Sequence, residues 1–209
     1  MNTFVRGCIK SLTHAGLVLG VVAFCAAAEE PKGSERDAIE TVSFADIDAV
    51  EHTIGGPGQV AASDYTVIVF INTDCPIANA YQPELARLFK KFSGEGVDMI
   101  MVQANRNLTE DQAQAHRREY DIKWSVALDP QQQIARRMFA TTTPEAFVVD
   151  AAGKTRYRGR IDDRYVTYGK KRPEPSRRDL ELALSALLSG QQVELTNTQA
   201  VGCKIFYSR

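Results

Sequence analysis

Residues 65–92 read YTVIVFINTDCPIANAYQPELARLFKKF, and this stretch decides the fold. Residues 65–72 form an unbroken β-branched and aromatic run. Such a run predicts a strand buried on both faces, in a parallel or mixed sheet covered by helices on each side. Pro76 suits the first turn of a helix, where its missing N–H costs nothing. Ile77, Tyr81, Leu85, Leu88, Phe89 and Phe92 then recur at helical spacing. A helix is therefore expected over residues 77–92, kinked by Pro83 and ended by Gly94 and Gly96. Cys75 stands at the junction, past the carboxyl end of a buried strand and just ahead of a helix.

Downstream, the same grammar repeats. Residues 97–104 (VDMIMVQA) read as a second buried strand. Thr109, with Gln112 three residues on, predicts a capping box for a helix to about residue 120. Residues 125–128 make a short strand, and Asp129-Pro130 is expected to cap a short helix reaching about residue 139. Residues 145–150 (EAFVVD) form a strand that Ala152-Gly153 turns back into a partner strand over residues 154–161. Ser176, followed by Asp179, is expected to cap a last helix ending at Leu188. Strands alternating with helices imply a mainly parallel sheet, and the final hairpin adds an antiparallel part. The fold class that follows is α/β: a three-layer α/β/α sandwich around a central mixed sheet.

The amino-terminal residues read differently. Arg6 and Lys10 precede an apolar run over residues 16–28 (GLVLGVVAFCAAA), and Ala26 and Ala28 fit a signal-peptidase site. Residues 1–28 are expected to be a secretory signal, too short for a comfortable membrane span. The expected organisation is a signal peptide over 1–28, a flexible lead-in over 29–42, one domain over 43–190, and a tail over 191–209 that carries Cys203. Removal of the signal takes two of the 25 basic residues and none of the 26 acidic ones, leaving a net charge of −3. With no basic block, nucleic acid is not an expected partner, and a membrane is expected only through an uncleaved signal.

Cys8 and Cys25 leave with the signal, so the mature chain keeps Cys75 and Cys203. Export places both where thiols pair or work. A helix N-terminus favours thiolate over thiol, and thiolate is the form that attacks a disulfide or a peroxide. The bland alternative is a buried, inert Cys75, but Asp74 and Pro76 are poor core-strand residues and argue for the junction. No zinc spacing is present, and neither metal nor cofactor is expected. His52 and His116 are isolated, with His116 expected on the surface, and Trp124 is expected to pack in the core.

The segment around Cys75 resembles the active-site strand and helix of the thioredoxin-like superfamily. Thr143-Pro144, within TTTPEAFVVDAAGK, is similar to that family's cis-proline segment, which its fold sets against the reactive cysteine. The nearest branch is the redoxin branch, AhpC/TSA (alkyl hydroperoxide reductase/thiol-specific antioxidant), with the exported thiol–disulfide proteins near it. The resemblance implies a pocket shaped by Asn72, Thr73, Pro76, Thr143 and Pro144. Thr143 would offer backbone hydrogen bonds to a peptide. It also implies an arginine reaching the thiolate from the strand after a D-x-x-G turn, which would be Arg156 after Asp150 to Gly153. The match has departures. Thioredoxin-type dithiol chemistry wants a cysteine where Ala78 stands. Peroxiredoxins carry Thr or Ser where Asn72 stands, and proline where Ile68 stands.

Cys203 has three readings: a resolving cysteine for oxidised Cys75, a static disulfide with it, or no contact. The expected function is an exported thiol-dependent oxidoreductase using Cys75 against a peroxide or a disulfide-bearing protein, recycled by a reducing thiol partner. The alternative is a catalytically silent binding or scaffold module of the cell envelope.

Overall fold

A computed structural model describes residues 39–55 and 63–207. The signal peptide assigned to residues 1–28, and residues 29–38 of the lead-in, lie outside the described residues. The elements run, in chain order, β1 (Val42–Ala45), β2 (Glu51–Ile54), β3 (Tyr65–Ile71), α1 (Pro76–Ala80), α2 (Gln82–Phe92), β4 (Val97–Gln103), α3 (Glu110–Glu119), β5 (Ser125–Leu128) and α4 (Gln133–Arg137). They continue with β6 (Thr142–Thr143), β7 (Glu145–Asp150), β8 (Thr155–Gly159), β9 (Tyr165–Thr167), β10 (Lys170–Lys171), α5 (Asp179–Leu188) and β11 (Cys203–Lys204).

The central sheet has five strands in the order β5-β4-β3-β7-β8. β3, β4 and β5 are parallel, while β7 runs antiparallel to both β3 and β8. The β-branched run at its centre is buried as expected, because both faces are covered. Val67, Val69 and Ile71 point to the side of α1, α2, α3 and α5. Ile68 and Phe70 point to the side of α4 and the β1–β2 hairpin. The three-layer α/β/α sandwich is the observed architecture.

Four local readings are corrected by the structure. The helix expected over residues 77–92 is two helices, broken at Tyr81, with Pro83 in the first turn of the second. The cap expected at Asp129 acts at a distance: α4 starts at Gln133, after Gln132 in a left-handed conformation, and the Asp129 carboxylate accepts from Gln133 and Ala135 N–H. Ser176 does not cap α5; its N–H and hydroxyl are held by Asp163, while α5 begins at Asp179. His116 is buried, not on the surface. The Thr109–Gln112 capping box is present, with both reciprocal bonds made.

The hairpin β1–β2 and the small β9–β10 hairpin carry weak sequence signals and were not foreseen. Ile39 and Val42, inside the expected lead-in, are buried against the sheet. The tail is also part of the architecture. Arg158 N–H donates to Thr196 O (2.9 Å) and Thr198 N–H donates to Arg158 O (3.0 Å), laying residues 196–198 along β8. The chain then crosses to pair β11 with β6.

Candidate active site

The turn after β3 sets Cys75. The Asn72 side chain accepts from Asp74 N–H (2.9 Å), and the Asn72 carbonyl accepts from Cys75 N–H (3.0 Å). Cys75 is the N-cap of α1, in extended backbone, and Pro76 follows in the first turn. Asn79 ties this turn down from behind: its amide donates to Thr73 O (2.8 Å). His116 Nε2 donates in turn to Asn79 Oδ1 (3.0 Å), which assigns the neutral ring its Nε2–H form. Burial holds the His116 pKa below its usual value, against the opposing pull of Glu119.

Two distant segments converge on the same sulfur. The Thr143–Pro144 peptide bond is cis. The Cys75 thiol donates to Thr143 O at 3.1 Å. Antiparallel pairing places Cys203 opposite Thr143 and Lys204 opposite Thr142. Thr143 Oγ1 donates to Cys203 O (3.3 Å), and Ile205 N–H donates to Thr141 O (3.0 Å). Both cysteines are free thiols, and with Cys203 opposite Thr143, whose carbonyl accepts from Cys75, each influences the other's ionisation.

The two thiols are pushed in opposite directions. Burial opposes ionisation of Cys75, which is 1% exposed. Hydrogen bonds to the thiolate outweigh it, from the Cys203 thiol, Ala78 N–H, the Thr143 side chain and Cys203 N–H, so its pKa lies below the ordinary thiol value. Cys203 is pushed up to about 12, by burial first, then by its bond to Cys75 and the charge there. The expected helix-dipole effect is thus reduced to local donors. α1 has five residues and breaks at Tyr81, so few aligned peptides stand behind Cys75.

Asn72, Thr73, Pro76, Thr143 and Pro144 all lie around the sulfur or in the segments that hold it. Arg156 does not. It sits on β8 and pairs with Asp150 (3.4 Å), at the far end of β7 from Pro144. The reason is topological. β7 is antiparallel to β3, so the D-x-x-G turn after it lies beside the start of β3, opposite Tyr65. A groove of about 570 Å³ lined in part by Arg137, Lys154, Arg156 and Arg158 is there, and neither cysteine lines it. A smaller groove of about 210 Å³ adjoins the site, between Asn72, Thr143, Gln132 and residues 204–206.

Sequence reasoning missed the supports. Glu145, buried at the start of β7, accepts from Thr141 and Thr142 N–H (2.7 and 3.2 Å) and pairs with Arg158 (3.1 Å). This network fixes the segment before Pro144. Gln132 Nε2 donates to Phe206 O (2.9 Å), and Tyr207 donates to Ala140 O under the Arg136 guanidinium, so the tail is anchored beyond Cys203. Gly202, adjoining Cys203, carried the one local signal of close backbone approach.

Residues 57–158 match the model of the AhpC/TSA family. The fold is thioredoxin-like, and the matched stretch is similar to the AhpC/TSA redoxins. The chain is similar to a hypothetical protein from Sinorhizobium meliloti, with a TM-score of 0.69 and 23% identity over 82% of this chain and 93% of that one. An uncharacterized conserved protein from Geobacillus kaustophilus gives 0.68 and 24%, over 82% and 90%. A putative thiol:disulfide interchange protein DsbE from Chlorobium tepidum gives 0.50 and 16%, over 58% and 82%. At these identities the likeness is one of fold. No curated protein matches the sequence.

Proposed function

We propose that this chain is an exported thiol-dependent oxidoreductase that cycles Cys75 and Cys203 between dithiol and disulfide. One observation carries the reading: strand pairing sets Cys203 opposite Thr143, whose carbonyl accepts from the Cys75 thiol, so the two free cysteines converge on one residue, with ionisation favoured at Cys75 over Cys203. The acceptor best supported is a disulfide, since the Cys75 sulfur meets thiol, carbonyl and N–H partners and Arg156 lies elsewhere.

The chemistry balances as follows. The Cys75 thiolate attacks one sulfur of the substrate disulfide; a mixed disulfide forms and the other substrate sulfur leaves as thiolate, taking a proton from solvent. The negative charge on Cys75 is then gone, and with it part of what kept the Cys203 proton in place. Cys203 attacks the Cys75 sulfur and its proton goes to the departing substrate thiolate. The substrate disulfide is reduced by two electrons to two thiols, and the Cys75–Cys203 pair is oxidised. A reducing thiol partner restores the dithiol.

A hydroperoxide is the second reading, favoured by the 1% exposure of Cys75, which admits a small oxidant more readily than a large one. There, Cys75 becomes a sulfenic acid, the alcohol or water leaves, and condensation with the Cys203 thiol releases water.

The test is mass spectrometry of the reduced full chain after a stoichiometric pulse of cystamine or hydrogen peroxide. A Cys75–Cys203 disulfide, lost in Cys75→Ser, is the expected product, and the faster oxidant names the acceptor class. A chain that forms no such bond with either oxidant, though folded and reduced, is the silent module instead. Export is tested separately, by whether the amino terminus of the protein recovered from the native host begins after Ala28.

A further inference from the structure

The tail lies on the site as a bound peptide would. β6 is a two-residue strand whose ladder partner, among the described residues, is β11. The contact is strand addition: backbone bonds along Thr141 to Thr143, with a cysteine set opposite Thr143. It is made by a segment that is already held elsewhere, since residues 196–198 are fastened to β8.

Gly202 shows what the surface selects. A Cβ there would fall 2.0 Å from Thr143 O, 2.7 Å from Thr143 C and 3.2 Å from Pro144 Cδ. The obstacles nearest are backbone, so they cannot swing aside. Any side chain at this position forces the two strands apart. The residue before the cysteine must be glycine for the strand to seat at this depth.

We propose that residues 201–207 occupy the Thr141–Pro144 edge beside Cys75 as a resident, intramolecular ligand, and that this edge seats an extended strand only when glycine stands immediately before the cysteine. A disulfide-bearing partner protein would present the same Gly-Cys strand and would exchange with the tail. The tail competes at the effective concentration its short tether sets, on the order of millimolar. An outside peptide therefore binds weakly until the tail is loosened. Only the chemical fate of a bound cysteine rests on the redox reading above; occupancy of the site does not.

The test uses the full-length reduced chain and a fluorescein-labelled peptide Ala-Val-Gly-Ser-Lys-Ile-Phe-Tyr, which copies the tail with serine for cysteine and so has no redox chemistry. Gly202→Ala loosens the tail through the clash at Thr143. Ile205→Pro loosens it independently, by removing the N–H bonded to Thr141 O. Fluorescence polarisation is expected to show the peptide binding both variants at least tenfold more tightly than the wild type. Replacing the peptide's own glycine with alanine is expected to abolish that binding. Equal affinity for wild type and variants, or equal binding of the glycine and alanine peptides, overturns the proposal. Circular dichroism and thermal unfolding confirm that the variants remain folded. Because the peptide lacks sulfur, a redox-silent chain that still binds it would sink the oxidoreductase reading and leave the peptide site standing.

Discussion

The two ends of β7 hold similar ingredients and do different work. At its start, Glu145 pairs with Arg158 and holds the strand before Pro144, where two cysteines meet. At its far end, Asp150 pairs with Arg156 beside a wide cationic groove that neither cysteine lines. About 17 Å separate the two ends, taking ~3.3 Å of rise per residue. The difference teaches that a guanidinium is not what sets the thiolate here. Of the groups that favour it, the Cys203 thiol and N–H arrive by strand pairing from the carboxyl-terminal tail, Ala78 N–H comes from α1 and the Thr143 side chain from β6.

The comparison can be broken most sharply from beneath the site. Tyr81, at the break between α1 and α2, donates to the buried carboxylate of Asp162. Tyr81→Phe leaves that oxygen with the Arg164 N–H as its remaining partner. The expected loss is about 1–3 kcal/mol of stability, read by urea unfolding, the range for a buried polar group short of a partner. Next comes Cys203→Ala, which removes the thiol donor. The midpoint of Cys75 alkylation, expected below pH 9.0 in the wild type, should rise toward that value. No rise would mean that Ala78 N–H, the Thr143 side chain and the residue-203 N–H set the thiolate without the Cys203 thiol.

A smaller effect concerns His116. Its pKa in the fold lies below 6.5, so the unfolded chain takes up the proton first. Its stabilising contribution is whole above pH 6.5 and is lost as pH falls from there toward the lowered value. Unfolding measured between pH 7.5 and 5 should show a shallower decline in His116→Gln, which keeps a donor for Asn79. The smallest effect is at the far end. Arg156→Ala should leave the rate of Cys75–Cys203 disulfide formation unchanged and stability within about 0.5 kcal/mol. A slowed reaction would restore the guanidinium to the mechanism.

How much of this was legible follows from the range of each signal. The β3 run, the Cys75–Pro76 junction and the alternation of strands with helices along the chain are written in local periodicity, and the fold could be read from them. The cis Thr143–Pro144 bond and the placing of Pro144 against Cys75 came from resemblance, since nothing local distinguishes that proline from an ordinary strand entry. The place of Arg156 could not be read from spacing alone. The same turn serves either end of the sheet, and the antiparallel direction of β7 decides which. The break at Tyr81 hid behind Pro83, because proline is as good a start to α2 as it is a kink in a longer helix. The meeting of Cys203 with Thr143 depends on two-residue strands 60 positions apart, too short to have a periodicity.

The fastening of residues 196–198 to β8 limits how far Cys203 travels. With Thr198 fixed, five residues of extended chain reach at most about 18 Å, at ~3.3–3.6 Å each. The second sulfur therefore remains a neighbour of the first even when its strand is unseated. In the proposed cycle, closure of the disulfide would be a first-order event within one chain, at a rate independent of how dilute the protein becomes.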